Sequence, residues 1–268
     1  MSSCKPPFKW AGGKTKFLPK LLPRVPSKGK TYYEPFLGAG ALFWAIVEQE
    51  RFERYVLSDV NYEVVCTWRS LKDDLRYVLD AIVKIPVNEE TYYQVRALNP
   101  ADLDQSDVAV RFLYMNRTGF NGLYRLNLSG GNNVPFGKKT HVNWPVMNWL
   151  RCSAVLNKYK VEIYRAEYQD AMSEATDQDF LFADPPYWPR KKNGFTAYNG
   201  PFSSADQTDL ADAFKSCKAQ RVLTNGPGAR HLYDGLTIVD ENEATTISRE
   251  GKTRGAAQTI IVVGDAVK

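Results

Sequence analysis

The hydrophobic pattern alternates between strand-like and helix-like runs at both ends of the chain and turns almost wholly helical between them. Lys30 to Phe36 predicts a short strand, Gly38-Ala39-Gly40 a turn, and Ala41 to Val47 repeats its apolar residues with helical spacing. Arg54 to Val60 predicts a second strand. Its Asp59 stands about 20 residues past the glycine turn, where a βαβ nucleotide site carries the acid that binds ribose hydroxyls. From Asn61 to about Tyr159 the alternation stops: helical stretches fall near 61–83, 88–98 and 104–115, and a polar, glycine-rich segment at 119–140 predicts a loop or hairpin. Strands then follow at Val161 to Ala166 and Phe180 to Ala183, a helix at Asp206 to Ser216, a strand at Arg221 to Thr224, and closing strands near 236–240 and 258–263. The expected architecture is α/β, a Rossmann-like sheet domain built from residues 1–60 and 160–268 with a mainly helical domain, 61–159, inserted.

Composition narrows the class. The 268 residues are 44% apolar, 13% aromatic and 24% charged, a globular balance, and no apolar run approaches the roughly 18 residues of a membrane span. Met1 to Pro7 holds no apolar export segment, so a cytoplasmic location is expected. Cysteines at 4, 66, 152 and 217 have neither zinc-site nor disulfide spacing and are expected to fill the core; no metal is expected. His141 and His231 stand apart and no GxSxG elbow occurs, which disfavours a Ser-His-Asp mechanism.

Charge is uneven along the chain. Residues 104–160 carry Arg111, Arg117, Arg125, Lys138, Lys139, Arg151, Lys158 and Lys160 against Asp104 and Asp107, a net of +6 within a chain of net +5. Interleaved with Phe112, Tyr114, Phe120, Tyr124, Phe136 and Trp144, this charge suits a phosphate backbone, although a solvated basic face would read the same.

Four motifs could carry chemistry. Asp184-Pro185-Pro186-Tyr187 directly follows the apolar run Phe180 to Ala183, at the strand end where open α/β sheets bind ligands. The prolines stiffen the backbone and remove two amide donors, leaving the Asp184 carboxylate and the Pro185 carbonyl as acceptors beside the flat face of Tyr187. That patch suits an amine on an aromatic ring, which both oxygens would hold while the ring stacks. Glu34-Pro35-Phe36-Leu37-Gly38-Ala39-Gly40 ends a strand with a glycine turn that permits close backbone approach to a ligand. Phe43 breaks the GxGxxG dinucleotide fingerprint, and Glu34 would repel a pyrophosphate but tolerate a cationic head. Lys9-Trp10-Ala11-Gly12-Gly13-Lys14-Thr15 fails as a P-loop, because Phe8 stands where the first glycine belongs; its Trp and lysines could line a pocket wall. Asn116-Arg117-Thr118-Gly119-Phe120-Asn121-Gly122-Leu123-Tyr124-Arg125, continuing to Asn133-Val134-Pro135-Phe136-Gly137-Lys138-Lys139, mixes base-reading residue types with aromatics, or forms a structural loop.

Together, in this order, these motifs resemble the Dam-type (alpha-group) family of DNA adenine N6 methyltransferases over nearly the whole chain, and Phe195-Thr196-Ala197-Tyr198 matches as well. The resemblance implies S-adenosylmethionine as methyl donor, held near Trp10, Lys14, Glu34, Phe36, Gly38, Gly40, Asp59, Tyr168 and Asp184, with Asp59 on the ribose. It implies double-stranded DNA as substrate, with catalysis at Asp184, Pro185, Pro186 and Tyr187. Lys9, Leu123 and Arg125 would meet base edges, Phe120 and Asn121 would lie near the space left by a flipped base, and Arg117, Lys138 and Lys139 would complete the DNA face. GATC is the expected site, and no obligatory protein partner is implied. The sequence departs from the pattern at Gly131-Asn132, at Asn225-Gly226-Pro227 and in the basic run Pro189-Arg190-Lys191-Lys192, which is expected to add phosphate contacts. Three other readings stay open: cytosine N4 methylation by the same acceptor patch, a DNA-binding homologue without turnover, and a small-molecule or protein methyltransferase.

Overall fold

Period-two burial along the strands explains the two-faced sheet at the centre of the molecule. In the computed structural model, which describes residues 4–127, 130–188, 202–243 and 257–267, seven strands pair: β1 (Gly29–Glu34), β2 (Phe52–Asp59), β3 (Val161–Arg165), β4 (Phe180–Ala183), β5 (Gln220–Asn225), β6 (Thr237–Glu243) and β7 (Ala257–Gly264). Their order is β3-β2-β1-β4-β5-β7-β6; the first five run parallel and β7 is antiparallel to both of its neighbours. Tyr32, Tyr55, Leu57, Phe180 and Phe182 point into one core, while Tyr33, Val56, Leu181 and Ala183 point into the other. A parallel sheet covered on both faces needs such near-continuous apolar strands, and β4, Phe-Leu-Phe-Ala, is buried throughout. The segments 189–192 and 195–198 singled out in the sequence lie outside the described residues.

The helices divide between the faces. The first core takes α2 (Ala41–Ile46), α3 (Tyr62–Asp73), α4 (Leu75–Ile82), α6 (Gln105–Thr118) and α7 (Val146–Lys158), with the short α1 (Leu18–Leu21) and α5 (Glu89–Ala97) packed at its margins; the second takes α8 (Tyr168–Glu174) and α9 (Ser204–Ser216). Residues 60–160 are therefore an insertion between the paired strands β2 and β3. Asn61 starts α3 by accepting the amides of Glu63 and Val64. The helix is tied to the sheet edge, because Arg69 donates to the Ile163 carbonyl at 3.0 and 2.8 Å and Lys72 to that of Val161 at 2.7 Å. The described residues of 119–140 make an irregular antiparallel pairing, hairpin-like: Gly119 bridges Phe136 and Leu126 bridges Asn132.

Helices α1, α7 and α8 go beyond the sequence expectation. In α7 the buried Trp149, Cys152, Val155 and Leu156 do follow a helical stripe, but a long polar stretch precedes it. Arg111, counted above with the basic segment, is 4% exposed and paired with Glu63, so it adds nothing to a phosphate-attracting surface. All four cysteines are buried and unpaired. Among the described residues no helix is long and apolar enough to cross a membrane.

Candidate active site

The chain runs from β1 outward to β2 and β3, and from β4 outward in the other direction to β5, so the β1/β4 boundary is the switch point where parallel sheets open a crevice. Both strand-end motifs emerge there. After β1, Gly38 and Gly40 take left-handed φ values of 45° and 65°, which favour glycine. A Cβ on Gly38 would lie 2.6 Å from Trp10 Nε1, so its bare backbone lets the indole close over the turn. The Gly38 amide donates to Asp59 Oδ2 and the Asn61 amide to Asp59 Oδ1, both at 2.9 Å, aiming the acid at the end of β2 into the crevice. Burial raises the Asp59 carboxyl to about 6 against those two amide bonds.

After β4, Asp184 is braced on both oxygens. Thr224 Oγ1 donates to Oδ1 at 2.5 Å, and the Lys14 ammonium stands 2.9 Å from Oδ2 while also donating to the Gly12 carbonyl at 2.6 Å. The same ammonium lies 4.8 Å from the centroid of the Tyr187 ring. Lys14, expected beside the methyl donor, lines the cavity with its ammonium between carboxylate and aromatic face, where the motif would seat an aromatic amine. Behind the loop two buried amides form a relay. Gln207 Nε2 donates to the Pro186 carbonyl at 2.7 Å, Asn225 Nδ2 donates to Gln207 Oε1 at 2.9 Å, and Asn225 Oδ1 accepts the Trp188 amide at 2.8 Å. The peptide groups on either side of Tyr187 are thus fixed from the core.

One cavity of about 890 Å³ joins these parts, lined by Trp10, Lys14, Phe36, Asp59, Tyr168 and Asp184 among others, with Lys9 and Asn121 to Leu123 also on its wall. Its size suits a nucleoside-sized ligand with room for a second ring. Phe36 stacks on Tyr168 with centroids 5.3 Å apart. Glu34 reaches the cavity with only 2% of its surface; burial raises its carboxyl to about 8, opposed by the Tyr32 hydroxyl at 2.7 Å and reinforced by Asp184. A buried acid, an aromatic pair and a glycine turn with no side chain to obstruct it thus share one wall of the cavity, a donor set that fits a nucleoside.

The residues expected at DNA sort into three settings. Lys9, Phe120, Asn121, Lys138 and Lys139 are exposed, Phe120 at 50%. Leu123 is half-buried at the cavity, and Arg125 is folded back so that its guanidinium donates to the side chain and carbonyl of Asn133. Arg117 is half-buried with its Nε lacking a hydrogen-bond partner among the described residues, and desolvation lowers its basicity.

The model of the D12 class N6 adenine-specific DNA methyltransferases matches residues 10–247, which include both strand-end motifs and most of the cavity lining. The chain belongs to this family. It is 36% identical over 241 residues to type II methyltransferase M.CviBI of Paramecium bursaria Chlorella virus NC1A, covering 86% of this chain and 87% of that protein. Identity to type II methyltransferase M1.LlaDCHI of Lactococcus lactis subsp. cremoris is 31% over 272 residues, 96% of this chain and 94% of that protein. Identity to the DNA adenine methylase of Escherichia coli strain K12 is 32% over 261 residues, 95% and 86%. As a D12 class methyltransferase the protein transfers a methyl group from S-adenosylmethionine to adenine N6 in DNA, which decides against the cytosine reading.

Sequence reasoning missed the parts of this methyltransferase that act from behind. Thr224 and Asn225 end β5 beside β4, so their place at a strand end was the available signal. Gln207, in α9, had none. The Glu63–Arg111 pair, joined by Tyr124 at 2.9 Å from Glu63 Oε1, ties α3, α6 and the segment after α6 together, and Tyr124 in turn packs on Trp10 at 5.5 Å.

Proposed function

We propose that Asp184, Pro185, Pro186 and Tyr187 form the acceptor site for an adenine swung out of the duplex, and that the insertion between β2 and β3 reads the DNA around it. One observation carries this reading: the acceptor loop, the glycine turn and Asn121 to Leu123 of the insertion line a single cavity. A buried, paired base offers its amine to no enzyme until it leaves the stack, at a cost of a few kcal/mol. Stacking on Tyr187 and hydrogen bonds from the amine to Asp184 and the Pro185 carbonyl offset that cost, once the Lys14 ammonium yields its place on the carboxylate.

Trp10, Phe36, Gly38, Gly40, Asp59 and Tyr168 would hold S-adenosylmethionine, which when bound supplies a methyl group on a cationic sulfur. Adenine's exocyclic nitrogen is a poor nucleophile because its lone pair is delocalised into the ring. Two acceptors on its hydrogens favour a pyramidal nitrogen and return that lone pair to it, so Asp184 and Pro185 act by position and electrostatics. The methylated nitrogen is briefly a strong acid, and its proton can leave to solvent without a base tuned near neutrality. Lys9, Leu123 and Arg125 meet base edges, Phe120 and Asn121 sit by the vacated space, and Arg117, Lys138 and Lys139 face phosphates; by the same resemblance the site is GATC.

Mass spectrometry of nucleosides from treated DNA, together with digestion by site-sensitive nucleases, tests the whole reading. N6-methyladenine in GATC is expected, and Asp184→Ala abolishes it while DNA binding persists. A folded Asp184→Ala protein that still methylates would overturn the acceptor assignment; methylated adenine elsewhere would overturn the site alone.

A further inference from the structure

Asn116, near the end of α6, is 3% exposed and commits its side-chain amide to the N-terminal segment, 107 residues away, and to the turn that follows its own helix. Its Oδ1 accepts the Lys9 amide at 3.0 Å, and its Nδ2 donates to the carbonyls of Lys9 at 2.8 Å and Gly122 at 3.2 Å. Gly122 completes the joint. It has a φ of 67°, and a Cβ there would fall 2.6 Å from Lys9 Cδ, so the lysine stem crosses bare backbone. Lys9 is exposed beyond this crossing, and Leu123 follows directly along the cavity wall. The contact is therefore a clamp between the N-terminal segment and the reading turn.

We propose that Asn116 and Gly122 are specificity-determining positioning residues that hold Lys9 and the Leu123 to Arg125 segment as one rigid reading head. This rests on the assignment of those three side chains to base edges. Discrimination by polar contacts persists only where a group facing the wrong base cannot relax toward another partner. Two readers on separately mobile segments could each shift to suit a mismatch; joined through three hydrogen bonds, neither shifts without breaking backbone pairing.

Methylation of a random-sequence DNA library, read at single-base resolution, compares the intact protein with Lys9→Ala, Arg125→Ala, Asn116→Leu and Gly122→Ala. Each reader variant relaxes preference at its own positions. Asn116→Leu and Gly122→Ala are expected to relax both sets together, by about tenfold or more. The rate on the preferred sequence at saturating DNA falls less than the discrimination does, and the affinity of Asn116→Leu for S-adenosylmethionine stays unchanged. A folded Asn116→Leu protein that slows equally on every sequence has lost only structure, and that result overturns the proposal. If Asn116→Leu does not fold, a folded Gly122→Ala protein decides alone, since it leaves the Asn116 amide in place and loosens the joint from the other side. If Lys9→Ala and Arg125→Ala both keep the original preference, the base-edge assignment itself has failed and the proposal goes with it.

Discussion

The acceptor loop and the reading segment face the same cavity but are held in opposite ways. At the end of β4, prolines fix the chain, buried amides from α9 and β5 bind its peptide groups, and Asp184 is held on both oxygens. At 119–140 the chain is an irregular hairpin with Phe120 half exposed, left-handed φ at Asn121 and Lys138, and Arg125 paired within its own hairpin. Chemistry at one nitrogen needs a geometry fixed before the substrate arrives. At the hairpin the backbone is instead held at a few joints, and Arg125 keeps a partner of its own until DNA takes its place. If this contrast is right, damage behind the loop should reduce turnover, whereas damage in the hairpin should change which DNA is bound.

The largest effect should come from Asp184→Asn, which keeps the size of the side chain and removes its charge. Methyl transfer should fall by about 10²- to 10³-fold, the scale for losing one preorganised electrostatic group. Single-turnover rates on saturating DNA read this directly; a loss confined to KM would place Asp184 in binding. Next is the buried pair: Arg111→Met strands the Glu63 carboxylate, whose pKa burial already raises against the pull of Arg111. Destabilisation of about 3–5 kcal/mol is expected in denaturant melts, most of it recovered by Arg111→Met/Glu63→Gln, since an apolar or neutral replacement of both partners leaves no stranded charge. Gln207→Leu should be milder, lowering turnover about tenfold by loosening the Pro186 carbonyl while DNA affinity holds. Equal losses in turnover and DNA affinity would erase the contrast between the two regions.

The two regions also differed in how far the sequence exposed them. The place of Asp184 to Tyr187 on the cavity was legible because the motif directly follows an all-apolar strand, and a parallel sheet opens its crevice at the carboxyl ends of its strands. Asp59 was legible from its distance to the glycine turn. What stayed hidden are partners made by folding. Lys14 meets Asp184 from 170 residues away, Gln207 meets Pro186 across 21, and Arg111 leaves the basic surface by pairing with Glu63 across 48. Summing charges along a chain cannot separate a solvated arginine from one held inside. Nor could periodicity show that Arg125 turns onto Asn133, since that depends on how the hairpin closes.

An effect on stability alone tests Glu34, the buried acid at the end of β1. Burial keeps a proton on Glu34 up to about pH 8, whereas the unfolded chain loses it near the ordinary value of 4.5. Between those values the folded protein binds more protons than the unfolded, so this group's contribution to stability falls as pH rises through the window. Glu34→Gln abolishes that slope, which approaches about 1.4 kcal/mol per pH unit at most. Denaturant melts of the two proteins from pH 5 to 8 should diverge; parallel curves would mean that Glu34 is ionised in the fold.

The smallest effect should come from just past the base of the hairpin, where Lys138 and Lys139 are exposed. Each phosphate contact releases condensed counterions, so log affinity falls with log salt by about 0.9 per contact. Lys138→Ala/Lys139→Ala should reduce that slope by about two and weaken binding alike on duplexes with and without the preferred site. Arg125→Ala, on the other arm of the same hairpin, should do the reverse, leaving the slope nearly intact and narrowing the gap between the two duplexes. Titrations of both variants at several salt concentrations separate position from readout within one hairpin. A lysine pair that altered sequence preference, or left the slope untouched, would place the phosphate-facing edge elsewhere on the insertion.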